Sequence, residues 1–225
     1  MSTVSNSQNK IFVIGLPRTA TTSLCVAMLE LGFKTAHTAF TDEAFNQAQV
    51  IADAPVFADF AKLACIYPDS KFINLQRDLD NWFPSIQQLL LRMYKNIVRV
   101  DGGFNPHLKR VYQDIFQPFT LNNINDLDFL RECYLSHQQQ VQSCFSDEPQ
   151  RLLNLNIANS GSYQQLIAFL HQQQLLKADQ PIAQASFQPI NMAGKVTAWQ
   201  QIRHANKVES TRLGKVDKLA FLTDN

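Results

Sequence analysis

A short apolar stretch that changes into a hydroxyl-rich turn, Ile11–Leu24, constrains the fold of this chain more than any other part. Residues 11–14 are apolar and mostly β-branched, which predicts a short buried strand. Gly15 and Pro17 predict a turn, and from Thr21 onward apolar residues recur with helical spacing. A strand, a tight turn and a helix N-terminus in this order direct several backbone N–H groups towards one point. This arrangement predicts an anion site, with phosphate as the usual ligand.

The side chains of this turn distinguish it from the loop of a nucleotide triphosphatase. They comprise one cation, Arg18, and four hydroxyls, those of Thr19, Thr21, Thr22 and Ser23. A triphosphatase loop reads G-x-x-x-x-G-K-[ST], and counting from Gly15 puts Ala20 at the second glycine and Thr21 at the lysine. That lysine supplies the main cationic contact to the transferred phosphoryl group. The turn therefore predicts a phosphate-binding loop that is poorly suited to ATP or GTP hydrolysis.

The composition is that of an ordinary globular protein. The chain has 225 residues, 45% of them hydrophobic and 17% charged, which predicts a single domain over residues 1–225. A net charge of +1 argues against a general nucleic-acid surface. The four cysteines lack metal-ligand spacing and are expected to be free thiols. The polar N-terminus and the short apolar run after it do not resemble a signal peptide or a membrane anchor, so we expect a cytoplasmic protein.

Strand patterns alternate with helical patterns along the chain, which predicts parallel strands with crossovers and hence an α/β fold. Further strands are expected at residues 33–37, 71–76 and 151–155, and helices at residues 41–51, 56–65, 79–100, 160–173 and 196–205. Residues 101–149 contain only helical patterns, at 106–116 and 126–145, and predict a helical insertion over the sheet. The polar tail at residues 206–225 is expected to be mobile.

A second anion-binding pair follows the predicted strand at residues 71–76. Arg77 stands at the end of that strand and Ser85 lies in the next helix, eight residues further on. A guanidinium leaving a strand and a hydroxyl two turns into a helix can converge on one oxyanion. The chain thus has two separate phosphate clamps: the first is the turn at residues 15–23, and the second is the pair Arg77 and Ser85. Two such clamps predict a ligand that is phosphorylated at two places. Trp82, between Arg77 and Ser85 in sequence, is expected to be a core residue.

Together these two motifs resemble the sulfotransferases that use 3′-phosphoadenosine-5′-phosphosulfate (PAPS). In that family a G-x-P-[RK]-[TS]-G-T-[TS] loop holds the 5′-phosphosulfate and an R-x₇-S pair holds the 3′-phosphate. The resemblance implies a P-loop-type three-layer sandwich with a central, mostly parallel sheet. It also implies that PAPS is bound by Pro17, Arg18, Thr19, Ala20, Thr21, Thr22, Ser23, Arg77 and Ser85, with Lys195 closing over the 3′-phosphate. Ala20 departs from the glycine of the family and would strain the loop if that position requires a positive φ.

The reaction implied by this resemblance is sulfuryl transfer to a hydroxyl or amine of a small molecule or glycan. Arg18 and the loop N–H groups would stabilise the charge on the departing adenosine 3′,5′-diphosphate (PAP), and no metal is implied. His37, after the second predicted strand, is the first candidate for the general base, with Asp53 and Asp59 as alternatives. Two other functions stay open: a P-loop kinase or nucleoside triphosphatase, and a nucleotide-binding relative without turnover. The acceptor and the oligomeric state are not encoded in a readable pattern.

Overall fold

The computed structural model describes residues 9–177, 182, 186–188, 190 and 199–209. Within them lies a five-stranded sheet, parallel throughout, in the order β2-β3-β1-β4-β5. The strands are β1 (Ile11–Val13), β2 (Thr35–His37), β3 (Val50–Ala52), β4 (Lys71–Gln76) and β5 (Leu152–Asn156). The helices are α1 (Thr21–Glu30), α2 (Asp42–Gln47), α3 (Val56–Ile66), α4 (Leu79–Val98), α5 (Pro106–Ile115), α6 (Leu121–Ile124), α7 (Leu127–Cys144) and α8 (Ser162–Gln172). The predicted α/β fold is confirmed.

Helices cover both faces of the sheet, because successive residues of a buried strand point to opposite sides. On one face Ile11 and Val13 pack with α1 and α8 in a single apolar cluster. On the other face Phe12 packs with α3 and α7 in a second cluster. A third cluster surrounds Trp82, which is fully buried among side chains of α3, α4, α5 and α7. This packing confirms the sandwich architecture and the expectation that Trp82 is a core residue.

The segment around β3 differs from the prediction of a helix through Ile51. Helix α2 ends at Gln47, and Val50–Ala52 forms an entirely buried strand between β1 and β2. The buried ammonium of Lys10 donates hydrogen bonds to the carbonyls of Phe45 and Ala48, 2.5 and 2.8 Å away. Phe45 lies in the last turn of α2 and Ala48 is its C-cap residue, where carbonyls lack helical partners. The end of α2 is therefore stabilised by Lys10, a residue far away in sequence. Burial lowers the pKa of the Lys10 ammonium to about 8.

The helices between α4 and β5 follow the predicted insertion closely. The patterns at residues 106–116 and 126–145 correspond to α5 and α7, and α6 is an additional short helix between them. Asp126 begins α7, since its carboxylate accepts hydrogen bonds from the N–H groups of Asp128 and Phe129. Among the described residues, none of the helices carries an apolar stretch long enough to cross a bilayer.

The C-terminal part of the described chain lies along the β2 edge of the sheet. A helix was expected at residues 196–205, but the described portion contains only a 3₁₀ turn, Trp199–Gln201. The N–H of Thr35 donates to the carbonyl of Asn206 at 3.0 Å, and the N–H of Val208 donates to the carbonyl of Thr35 at 2.9 Å. The start of the predicted tail thus pairs with β2, and residues 210–225 lie outside the described part.

The histidine of α7 that faces α3 gives the first testable prediction. His137 is buried, and its Nε2–H donates to the carbonyl of Phe57 at 2.9 Å. Burial lowers the pKa of His137 from 6.5 to about 4. The unfolded chain therefore binds more protons between these values, so stability is fully present above pH 6.5 and is lost as the pH falls towards 4. We expect the free energy of unfolding to drop by roughly 2 kcal/mol from pH 7 to pH 5 because of this group.

Urea unfolding of the wild type and of His137→Gln at both pH values measures this contribution. Glutamine keeps a donor for Phe57 but cannot be protonated in this range. The fall in the free energy of unfolding from pH 7 to pH 5 should be larger in the wild type than in the variant by roughly 2 kcal/mol. Equal losses in both proteins would show that His137 does not contribute to the acid sensitivity.

Candidate active site

The loop that connects β1 to α1 is pressed against the end of β4. A Cβ atom added to Gly15 would lie 2.6 Å from both Cβ and the carbonyl oxygen of Leu75. Only glycine fits at such a distance. Further along the loop, Arg18 and Ala20 both have left-handed backbone conformations, with φ of 72° and 73°. The φ of Ala20 is therefore positive, which is the condition under which we expected alanine to strain the loop. The conformational strain at Ala20 is roughly 1 kcal/mol.

The loop ends by presenting the N-terminus of α1. The N–H groups of Thr21, Thr22 and Ser23 are the first of this helix, and they have no acceptors within it. Ala20 at the N-cap offers no side-chain acceptor. The hydroxyl of Thr19, by contrast, is buried and donates to the carbonyl of Leu16 at 2.7 Å. Thr19 therefore fastens the loop internally, whereas the helix N-terminus is available to an anion.

The two predicted anion clamps meet in the structure. Nε of Arg18 donates to the hydroxyl of Ser85 at 2.8 Å, and Nη1 of Arg77 donates to the carbonyl oxygen of Arg18 at 2.8 Å. Trp82 ties α4 to the loop, because its indole N–H donates to the carbonyl of Pro17 at 3.0 Å. The loop residue Arg18 is thus bonded to both members of the second clamp, although they are 59 and 67 residues away in sequence.

Tyr134 of α7 is a part of this site that the sequence patterns did not reveal. Its hydroxyl accepts a hydrogen bond from the N–H of Arg77 at 2.9 Å and donates one to the carbonyl of the same residue at 3.1 Å. Its ring lies 4.8 Å from that of Trp82. Tyr134 therefore fixes the backbone of Arg77 where β4 ends, and a helix of the predicted insertion contributes to the site.

The cations around the loop form no ion pairs with carboxylates in the part of the chain that the structure describes. Among the described residues, no ion pair joins Arg18 or Arg77 to an acidic side chain. Burial lowers the pKa of Arg18, and the positive charges of Arg92 and Arg77 lower it further. The charge of Asp53 acts in the opposite direction, but the net pKa shift is downward. Like charges held close together without an ion-pair partner among the described residues favour binding of an anion.

Two of the three candidate bases lie side by side at the carboxyl edge of the sheet. Nε2 of His37 is 3.3 Å from the hydroxyl of Thr21, and Nδ1 is 3.6 Å from a carboxylate oxygen of Asp53. The other oxygen of Asp53 is buried and, among the described residues, has no hydrogen-bond partner. His37 is the last residue of β2 and Asp53 directly follows β3, and these strands are neighbours. The imidazole therefore connects the anion loop to a carboxylate.

Asp59, the third candidate base, lies in a different environment. It is a buried residue of α3, and its carboxylate is 2.6 Å from Nη2 of Arg110 in α5. Arg110 also pairs with Asp114 at 2.8 Å. Burial raises the pKa of Asp59, while the hydrogen bond from Arg110 lowers it. This carboxylate holds α5 against α3, so the geometry gives it a structural role and favours His37 and Asp53 as bases.

A cavity of about 500 Å³ opens beside the N-terminus of α1. It is lined by Ser23, by the turn from Ile157 to the first residues of α8, and by Phe187. Lys195, which was expected to close over a 3′-phosphate, lies outside the described residues, so its role stays a prediction. Within the described residues there is no group of three or more His, Cys, Asp and Glu side chains that could hold a metal ion.

Comparison with known families adds one finding. A family model described as a sulfotransferase domain matches residues 10–41 and 38–193. The matched residues contain both anion clamps, His37 and Asp53, whereas Trp199 lies beyond them. A search of curated proteins gave no match.

Proposed function

The chain belongs to the sulfotransferase domain family, and from this premise we propose that it transfers a sulfuryl group from PAPS to a hydroxyl or amine acceptor. The acceptor we propose is a small molecule or a glycan. The observation that carries the proposal is the convergence of the two clamps, in which Arg18 contacts both Ser85 and Arg77. A donor with anionic groups on both its 3′ and 5′ positions matches two clamps that meet at one residue, Arg18.

Each clamp suits one end of this donor. The N–H groups of Thr21, Thr22 and Ser23, which have no acceptor within α1, would hold the 5′-phosphosulfate together with Arg18. Arg77 with Ser85 would hold the 3′-phosphate, since a guanidinium fork and a hydroxyl can share one oxyanion. The cavity of about 500 Å³ beside Ser23 lies within the range of small-molecule sites and would accommodate the adenosine.

The residues around the loop can each take part in the transfer. Arg18 and the N–H groups of α1 would stabilise the negative charge that develops on the departing phosphate as its bond to sulfur breaks. His37 would accept the proton that the acceptor loses as its oxygen or nitrogen bonds to sulfur. Nε2 of His37 lies beside Thr21 at the start of α1, and Asp53 beside Nδ1 would stabilise the imidazolium. Asp53 itself stays the alternative base.

The left-handed conformation of Ala20 favours a second candidate function, a relative that binds the nucleotide without turnover. Strain in the loop would lower its affinity for the sulfuryl donor and reduce catalysis. Assays of sulfuryl transfer from PAPS to a set of alcohols and amines separate the two candidates. Product formation supports the enzyme, and PAP binding without product for any acceptor supports the binding protein.

Binding of PAP tests the assignment of the clamps independently of turnover. At a PAP concentration of 100 times Kd, linkage predicts about 2.7 kcal/mol of stabilisation, or a rise in Tm of roughly 5–10 °C for a chain of this size. This rise should occur without magnesium, and ATP with magnesium should give little. Arg77→Ala should abolish most of the shift with PAP, because one clamp loses its cation.

Arg131→Ala is the matched control for Arg77→Ala. Arg131 is an exposed residue of α7 that pairs with Asp128 and lies over the ring of Phe83, so its loss removes the same charge without removing a member of either clamp. It should leave the PAP shift unchanged. A normal shift in Arg77→Ala would contradict the assigned 3′-phosphate site, and a larger shift with ATP and magnesium than with PAP would favour the kinase alternative.

A further inference from the structure

The aromatic ring that covers His37 belongs to the C-terminal segment. The ring of Trp199 lies 5.4 Å from the imidazole, centroid to centroid, at an interplanar angle of 24°. Trp199 is 6% exposed and the side chain of His37 is 13% exposed. The two ring nitrogens of His37 already face Thr21 and Asp53. Its edges and one of its faces are thus occupied by groups from three separate parts of the chain.

The edge contacts alone define the imidazole orientation only loosely. The separations of 3.3 and 3.6 Å lie beyond the usual range for strong hydrogen bonds. The terminal torsion of a histidine has a broad, roughly two-fold energy profile, so the ring can rotate unless its face is packed. A stacked indole restricts this rotation, because turning the imidazole would drive its edge into the indole plane.

The segment that carries Trp199 is anchored on the strand that carries His37. Thr35 of β2 exchanges backbone hydrogen bonds with Asn206 and Val208, at 3.0 and 2.9 Å. The ammonium of Lys207 lies 5.5 Å from the centroid of the Trp199 ring, and its side chain is only 4% exposed. The anchoring residue Thr35 stands two positions before His37 in sequence. Pairing at Thr35 therefore sets the position of the segment relative to the imidazole.

We propose that Trp199 is a positioning residue: its indole face holds the imidazole of His37 in the plane that directs Nε2 to Thr21 and Nδ1 to Asp53. Residues 199–208 thereby contribute to a site whose two candidate bases, His37 and Asp53, come from the first quarter of the chain. The kinetic part of this inference rests on the proposed sulfuryl transfer, whereas the ring orientation does not. The family model ends before Trp199, so this contribution lies outside the matched residues.

NMR of the imidazole tests the orientation directly. A stacked indole shifts the imidazole C–H resonances through its ring current, and His37→Gln identifies those resonances. We expect Trp199→Leu to lose this ring-current shift. The two nitrogens of His37 should then give exchange-averaged resonances, because the ring rotates between orientations. Trp199→Phe should keep the ring-current shift and two distinct nitrogen resonances, because it keeps an aromatic face. Unchanged His37 resonances in Trp199→Leu would overturn the proposal whether or not the protein transfers sulfuryl groups.

Kinetics test the consequence of that orientation. Trp199→Leu should lower kcat about tenfold, as expected for a displaced catalytic group, while PAP affinity stays within about twofold of the wild type. Trp199→Phe should recover most of kcat. Phe33→Leu is the matched control, since Phe33 is equally buried in the same apolar cluster, and it should lower Tm without lowering kcat. A full kcat in Trp199→Leu, below its Tm, would overturn the positioning role.

Discussion

Replacing Arg18 by alanine is expected to lower kcat for sulfuryl transfer by roughly 10²–10³-fold, the range seen when a preorganised donor to a developing anion is removed. The guanidinium is half-buried, its Nε is bonded to Ser85 and its backbone carbonyl is bonded to Arg77. The substitution removes a positive charge at the point where the two clamps meet. Single-turnover measurements with saturating PAPS separate this effect on the chemical step from an effect on donor binding.

Arg18→Lys and Arg131→Ala show which property of Arg18 matters. Lysine keeps the charge but lacks the planar fork, so we expect an intermediate loss of rate. Arg131→Ala removes an exposed arginine that belongs to neither clamp and should keep full activity. If Arg18→Ala retains kcat within threefold of the wild type, Arg18 does not stabilise the departing phosphate, even if PAP still binds.

The parts of this fold that the sequence predicted well are those controlled by local patterns. The β1–loop–α1 unit and the strand before Arg77 were predictable because apolar runs, glycine, proline and hydroxyl residues act over a few positions. β3 was not, because a continuous apolar run of three residues does not distinguish a buried strand from the end of a helix. The boundary depends on Lys10, whose contacts to the end of α2 span 35 and 38 residues.

In the candidate site, too, local motifs were predictable from the sequence and long-range contacts were not. Both clamps follow from short motifs, but their convergence depends on contacts across 59 and 67 residues. Tyr134 and Trp199 have no local signal, since each reaches the site from a helix or segment far away in sequence. Asp53 and Asp59 look equivalent in the sequence, and only their partners separate them: His37 for the first and Arg110 for the second.

Gly15→Ala is expected to destabilise the protein by at least about 3 kcal/mol, at the upper end of the usual effect of overpacking. The added Cβ would lie 2.6 Å from Cβ and the carbonyl oxygen of Leu75, and 2.7 Å from its backbone nitrogen. Two of these three atoms are backbone atoms of β4, which pairs with β1 on one side and β5 on the other. β4 therefore cannot yield, and the loop must move. Urea unfolding of the variant and the wild type measures the loss.

The same displacement should impair the site, because Leu75 stands two residues before Arg77. A loop that moves away from β4 carries the carbonyl of Arg18 away from Nη1 of Arg77, so the rise in Tm with PAP should shrink together with the stability. Ala20→Gly is the matched control: it removes a Cβ at a left-handed residue of the same loop, and should change stability by no more than about 1 kcal/mol while keeping the PAP shift. A stable Gly15→Ala variant with a normal PAP shift would show that the close approach of the loop to β4 is not what brings the two clamps together.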